Sequence, residues 1–158
     1  MINLFGVYEC SADAKGRVML PAAFKKQLTQ VLKQGFVIKR SIFSKSLELY
    51  PMGTWNEMVK DVNKLNRFVK KNVEFIRMFN YGVKSLELDD NSRILIPKDL
   101  VQFASIKKDV VLAAATDRIE LWDKRAYEKF VKENSVDFDK LAEDVMGGIG
   151  STNLNDTK

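Results

Sequence analysis

One stretch of this chain is written twice. Asp13-Ala-Lys-Gly-Arg17-Val-Met-Leu-Pro21 returns as Asp89-Asp-Asn-Ser-Arg93-Ile-Leu-Ile-Pro97, each an acid, three turn-type residues, an arginine, an apolar triplet and a proline. Downstream, Leu47-Glu-Leu-Tyr50 recurs as Ile119-Glu-Leu-Trp122, and each is followed by a helical stretch. The offset is 76 residues at the first pair and 72 at the second, so a few loop residues differ between copies. Two copies of one supersecondary unit in 158 residues impose pseudo-symmetry on the fold, and such chains suit symmetric assemblies or ligands with repeating features.

The local chemistry of each copy is legible. Val7 to Ala12 reads as a strand entering the first motif and Arg17 to Leu20 as the strand leaving it. Between them, Asp at the first and Gly at the fourth turn position favour a type I turn. Asp13 can accept N–H groups inside that turn, and Gly16 can take a positive φ without steric cost. A tight hairpin is expected, with Lys15 at its tip and Arg17 at its base. Pro21 stops the strand and opens a helix. Phe36 to Lys39 and Leu47 to Tyr50 read as further strands, and Thr54 with Glu57 carries a capping-box signature for the next helix. A second helix through Val73, Ile76 and Phe79 reaches Gly82, and the pair is expected to form a hairpin linking the copies. In the second copy, Lys84 to Leu88 and Ile94 to Ile96 flank the turn. Asp109 to Ala113 and Arg118 to Trp122 are the later strands, and a last helix is expected to end at Gly147-Gly148. The expected organisation is a first repeat over 1–66, a connecting helix over 67–82, a second repeat over 83–146 and a disordered tail over 147–158.

Composition excludes several classes of activity. Histidine is absent, which removes Ser-His-Asp and Cys-His triads and zinc sites of the Cys/His type. Cys10 is the only cysteine, so no intrachain disulfide can form, which fits a reducing cytoplasm. No P-loop, GxGxxG, CxxC or HExxH occurs. Asp89 and Asp90 could together hold a divalent cation, but adjacent aspartates in a turn are far more often plain turn formers. The chain reads as no enzyme, with no metal and no cofactor. No run approaches the roughly 18 apolar residues of a membrane helix, and no secretory signal is expected at the N-terminus. The net charge of +5 is uneven: residues 1–82 carry 14 Lys/Arg against 6 Asp/Glu, residues 83–158 carry 12 against 15. A basic half points to a polyanion such as DNA or RNA.

From Phe5 to about Val145 the sequence resembles the MraZ family, bacterial transcriptional regulators associated with the division and cell-wall gene cluster. The resemblance rests on the paired Asp-x-x-x-Arg turns with their following prolines, the Leu-Glu-Leu-Tyr and Ile-Glu-Leu-Trp segments, and the connecting helices ending at Gly82. It implies an α+β, β-rich fold: a double-split β-barrel of two AbrB-like swapped-hairpin units with peripheral helices. It also implies a ring-like homo-oligomer that binds tandem DNA repeats in the promoter of that cluster, including that of its own gene, in the cytoplasm and on the nucleoid. The family's motif maps here to Asp13 and Arg17, and to Asp89 and Arg93. The second copy departs from it, with Asn91-Ser92 in place of a small pair and Asp90 adding negative charge.

The expected double-stranded DNA contacts are therefore Asp13, Lys15, Gly16, Arg17, Asp89 and Arg93. A local Asp13–Arg17 ion pair is the competing explanation of the motif. An exposed pair contributes about 0–1 kcal/mol, too little to require the combination twice. Lys25, Lys26, Lys39 and Arg40 add basic character, each individually reading as a solvated surface charge. Tyr50, Trp122, Trp55 and Tyr127 read as packing aromatics rather than base-stacking ones. The alternative function is an antitoxin-like or structural ring-forming interaction module.

Overall fold

The structure, a computed structural model, describes the backbone of residues 2–155 and side chains as far as residue 148. The first copy contributes β1 (Val7–Ser11), β2 (Arg17–Met19), α1 (Ala22–Gln27), a 3₁₀ turn (Leu32–Gln34), β3 (Phe36–Arg40) and β4 (Leu47–Pro51). Helices α2 (Met52–Asn63) and α3 (Lys70–Asn80) follow. The second copy contributes β5 (Lys84–Leu86), β6 (Arg93–Leu95), α4 (Lys98–Phe103), β7 (Asp109–Ala115) and β8 (Arg118–Asp123). Helices α5 (Lys124–Ser135) and α6 (Phe138–Asn155) close the described chain. The fold is α+β with antiparallel strand pairing, and it divides into a unit reaching to Lys124 and a helical unit from Arg125 on. No helix among the described residues is long and apolar enough to cross a membrane.

The strands exchange between copies. A six-stranded sheet runs β1-β7-β8-β4-β3-β5, and a separate two-stranded ribbon pairs β2 with β6. Interchanging the copies maps each sheet onto itself, with Glu48 opposite Glu120 at the centre of the large sheet and Val18 opposite Ile94 at the centre of the ribbon. The hairpin expected across Asp13 to Arg17 is thus corrected. Its turn forms, but β1 and β2 share only the isolated bridge Ala12–Val18. β1 instead makes a five-residue ladder with β7, and β2 a three-residue ladder with β6. The longer ladders satisfy more backbone groups than a local hairpin would, and no strand face is lost by the exchange.

The ladders also locate the length difference between copies. Gly16 matches Ser92 at an offset of 76, Phe36 matches Val110 at 74, and Pro51 matches Asp123 at 72. Two extra residues of the first copy therefore lie between its motif and β3, and two lie in its β3–β4 loop. That loop presents Ile42 and Phe43, both exposed.

The core sits between the inner face of the large sheet, the buried side of the ribbon and helices α1 and α4. Val18 and Ile94 from the ribbon meet Ile38, Leu49, Leu112 and Leu121 from the sheet, with Phe24 of α1 and Leu100 of α4 beside them. All three prolines stand at the N-caps of helices: Pro21 before α1, Pro51 before α2 and Pro97 before α4. The Thr54 capping box is not used, because α2 already begins at Met52 behind Pro51, whose missing N–H costs nothing there. On the outer face of the sheet, Trp55 of α2 lies 5.6 Å from the ring of Tyr50 and stacks at 5.6 Å on Phe79 of α3, joining the two helices as a hairpin. Tyr50 and Trp122 are buried, as packing aromatics should be.

Two like charges face each other at the pseudo-axis, and only one of them is well compensated. Glu48 is held by Lys39 at 3.5 Å and Arg118 at 3.1 Å, and it accepts the Tyr50 hydroxyl at 3.2 Å. Glu120 accepts Trp122 Nε1 at 3.3 Å, and burial raises its carboxyl above the ordinary range. Lys39, read from the sequence as surface charge, is only 2% exposed. Desolvation lowers its ammonium pKa, with Glu48 opposing the shift. Arg40 lies over Tyr81 and Phe103 at 4.4 and 5.2 Å. Neither belongs to a solvated basic face.

In the helical unit, α6 continues through Gly147-Gly148 to Asn155, past the stop expected there. Glycine in a helix costs about 1 kcal/mol against alanine but does not forbid it. Residues 156–158 of the expected tail lie outside the described residues.

Candidate nucleic-acid interface

Both turns are built alike, hydrogen bond for hydrogen bond. Asp13 N–H donates to Arg17 O at 3.0 Å and Gly16 N–H to Asp13 O at 3.0 Å; Asp89 N–H donates to Arg93 O and Ser92 N–H to Asp89 O, both at 2.9 Å. The aspartate side chain fills each turn. Asp13 Oδ1 accepts Lys15 N–H at 3.0 Å and Arg17 N–H at 2.9 Å, while Oδ2 accepts Arg17 Nε at 2.6 Å. Asp89 Oδ1 accepts Asn91 and Arg93 N–H, both at 2.9 Å, and Oδ2 accepts Arg93 Nε at 2.8 Å. The backbone N–H of each arginine is the main cause holding its aspartate's carboxyl below the usual carboxylate range. The third turn residue takes positive φ in both copies, +85° at Gly16 and +60° at Ser92. Serine bears that conformation at a cost glycine avoids.

Each turn then anchors on the opposite copy. Ile96 N–H donates to Gly16 O and Leu20 N–H to Ser92 O, both at 2.9 Å. A Cβ on Gly16 would stand 3.1 Å from Ile96 O. Glycine at this position thus avoids both the cost of positive φ and the close approach. The turns flank opposite ends of the β2–β6 ribbon, where Arg17 pairs with Leu95 and Met19 with Arg93. Strand alternation turns Val18 and Ile94 into the core and presents Arg17, Met19, Arg93 and Leu95 on the outer face. The two arginines hold diagonal positions, about 7–8 Å apart by ladder geometry. Met19 and Leu95 between them are more than half exposed, at 59% and 55%.

This arrangement decides how the motif residues divide their work. Each aspartate engages its arginine through Nε alone, and neither arginine makes a further side-chain hydrogen bond or ion pair among the described residues. The guanidinium is oriented, while its two terminal nitrogens remain open to an acceptor. That edge is the fork that matches a phosphate or the O6/N7 edge of guanine. The ion pair and the ligand-facing role are thus compatible. Lys15 lies at the tip of the first turn and pairs with no carboxylate among the described residues. Asp89 cannot serve a metal with Asp90 without giving up its turn hydrogen bonds, and no group of three His, Cys, Asp or Glu suited to a metal occurs among the described residues. Cys10 is half-buried in β1, and burial pushes its thiol up, away from a reactive thiolate.

Strand exchange also brings in residues the sequence did not suggest. Beside the first turn, Lys98 of α4 and Lys107 and Lys108 of the α4–β7 connection line a cavity with Lys15. Their distance along the chain from Lys15 hid them, and only the β2–β6 pairing places α4 next to that turn.

Comparison with known proteins agrees with the repeat. A family model described as "MraZ protein, putative antitoxin-like" matches residues 4–77 and again 79–147, one match for each copy. A protein of Christiangramia forsetii named transcriptional regulator MraZ is 57% identical over 147 residues, covering 93% of this chain and 95% of that protein. One of the same name from Flavobacterium psychrophilum is 54% identical over 149 residues, covering 94% and 95%. A more distant one, from Caldanaerobacter subterraneus, is 34% identical over 140 residues, covering 89% and 94%. With matched segments spanning nearly the whole chain and relatives of this identity, the chain belongs to the MraZ family.

Proposed function

We propose that the protein is a sequence-specific DNA-binding transcriptional regulator in which the two Asp-x-x-x-Arg turns meet DNA. One observation carries the reading: the ribbon presents Arg17 and Arg93 on one exposed face, each pre-oriented through Nε by its own aspartate with its outer nitrogens open. Pre-organisation lowers the ordering cost of binding. The names of the relatives support a role in transcription. The reciprocal strand exchange supports reading the copies as swapped-hairpin units of a double-split barrel. One protomer offers two arginines, too few contacts for tight binding alone. We read the working form as a ring-like homo-oligomer on tandem repeats upstream of its own gene and the division and cell-wall cluster, where avidity multiplies each contact. That places its action in the cytoplasm, on the nucleoid.

A gel shift and footprint on the DNA upstream of its own gene test this. Several short protected sites in tandem are expected, with binding lost when their spacing changes by half a helical turn. Equal affinity for one isolated repeat and for the array would overturn multivalent docking. A second reading, an antitoxin-like protein-interaction module, draws on the family description and on the exposed Ile42, Phe43, Met78 and Tyr81 around one 480 Å³ groove.

A further inference from the structure

The concavity beside the first turn is the strongest unassigned feature outside the arginine face. It has a volume of about 640 Å³ and carries Lys15, Lys98, Lys107 and Lys108 over an apolar floor that includes Ile96 and Val101. Asp13 is the one carboxylate on its wall, and that carboxylate is already committed to Arg17 and two backbone N–H groups. None of the four lysines forms an ion pair among the described residues. Cations gathered around one concavity focus their field and draw in anions.

We propose that Lys98, Lys107 and Lys108, with Lys15, grip the phosphate backbone of the duplex that Arg17 contacts. This rests on the DNA-binding reading above and adds a second surface to it. The chemistry favours a row of phosphates over a lone anion. The lysines are exposed and come from three places in the chain, so they offer separated point charges rather than a pocket of converging donors. A compact anion would reach only some of them, whereas a strand with one phosphate per nucleotide can engage several at once. The cavity wall includes Asp13 to Gly16, the residues that lead into Arg17, and Lys108 also lines a neighbouring concavity together with Arg17 and Arg93. Strand exchange divides the task between copies: the first supplies the arginine, and the second supplies three of the four lysines. Phosphate contacts of this kind set position and register but carry no sequence information.

The test follows from that last property. Binding of the full-length protein to the duplex upstream of its own gene, and to a scrambled duplex of equal length, is measured across a salt series. The variant Lys98→Gln/Lys107→Gln/Lys108→Gln is compared with a control, Lys60→Gln/Lys64→Gln/Lys70→Gln, that removes the same charge from α2, its connection and α3. Loss of phosphate contacts should lower the slope of log K against log salt by about 0.9 per contact, so by roughly 2–3 for each subunit engaged by the test variant. Affinity for both duplexes should fall by a similar factor, leaving their ratio unchanged. The control should keep the original slope. Equal slopes in test and control variants would overturn the proposal, as would a test variant that loses the upstream duplex selectively. An unaltered protein that binds neither duplex would overturn the DNA-binding reading itself, a result distinct from either.

Discussion

At the first turn Ala14, Lys15 and Gly16 stand between aspartate and arginine; at the second, Asp90, Asn91 and Ser92 do. The backbone treats these tips as equivalent, with matching hydrogen bonds and matching anchorage on the opposite copy. What differs is charge and strain. Lys15 corresponds to Asn91, Ala14 to Asp90, and a glycine to a serine held at positive φ. The motif's acid and arginine are therefore fixed by the turn, whereas the three residues between them are free to tune it. A phosphate approaching Arg93 meets the exposed carboxylate of Asp90, and one approaching Arg17 meets the ammonium of Lys15.

The uneven charge of the two sequence halves does not itself explain this difference. Strand exchange sets Lys98, Lys107 and Lys108 of the acidic half beside the first turn. It also starts α1, with Lys25 and Lys26 of the basic half, two residues beyond the Leu20 that bonds to the second turn. The asymmetry that remains is local to the tips.

Removing both arms should weaken binding most. Arg17→Ala/Arg93→Ala should abolish specific DNA binding, at about 1–3 kcal/mol for each lost contact multiplied over the subunits engaged. Its circular dichroism should stay unchanged, since among the described residues each arginine side chain bonds only to its own aspartate. A double variant that still footprints the same repeats would move the DNA site elsewhere on the molecule.

The next comparison sets Glu48 against Glu120, paired across the pseudo-axis. Glu48→Gln leaves Lys39 and Arg118 without their shared carboxylate and should destabilise by about 3 kcal/mol. Glu120→Gln should stabilise instead, because burial disfavours the charge it removes. A carboxyl with a raised folded pKa contributes fully below its unfolded value, and that contribution is lost as pH rises through the folded one. The advantage of Glu120→Gln over the unaltered protein should thus be present at pH 7 and fade by about pH 4. Thermal melts at both pH values check sign and trend; a destabilised Glu120→Gln at pH 7 would contradict this account.

Smaller still is the contrast at the turn glycine. Gly16→Ala forces a Cβ into positive φ and within 3.1 Å of Ile96 O, and should cost about 1–2 kcal/mol. Ser92→Ala already has its Cβ in that region and should cost well under half as much. Denaturant midpoints that rank the two the other way would remove the strain argument.

Much of this is legible in the sequence alone, for a definite reason. Asp, Gly and Pro act on their own backbone and near neighbours, so the turns and the helix starts behind Pro21 and Pro97 follow from local chemistry, whereas the capping-box signature at Thr54 misses the start of α2 behind Pro51. Strand alternation likewise assigns Val18 and Ile94 to the core. Partner choice is another matter, because the same alternation serves a local hairpin and an exchanged one equally well. That is why β1 and β2 read as a pair when each bonds to the other copy. Lys39 reads as a surface charge for a related reason: it ends an apolar run before the loop, and only the fold brings Glu48 and Phe79 to it. Lys98, Lys107 and Lys108 are invisible beside Lys15 until α4 is placed.

Both arginines are proposed to meet DNA, with the tip residues making the first the stronger arm. Binding isotherms of Arg17→Ala and Arg93→Ala on the same upstream duplex, at one fixed salt concentration and with circular dichroism as the folding control, decide this. Two folded proteins are expected, with specific binding lost in Arg17→Ala and weakened less in Arg93→Ala. Asp90→Ala/Asn91→Lys, which gives the second turn the tip charges of the first, should bind tighter than the unaltered protein. A larger loss in Arg93→Ala than in Arg17→Ala would rule out the tip-charge asymmetry.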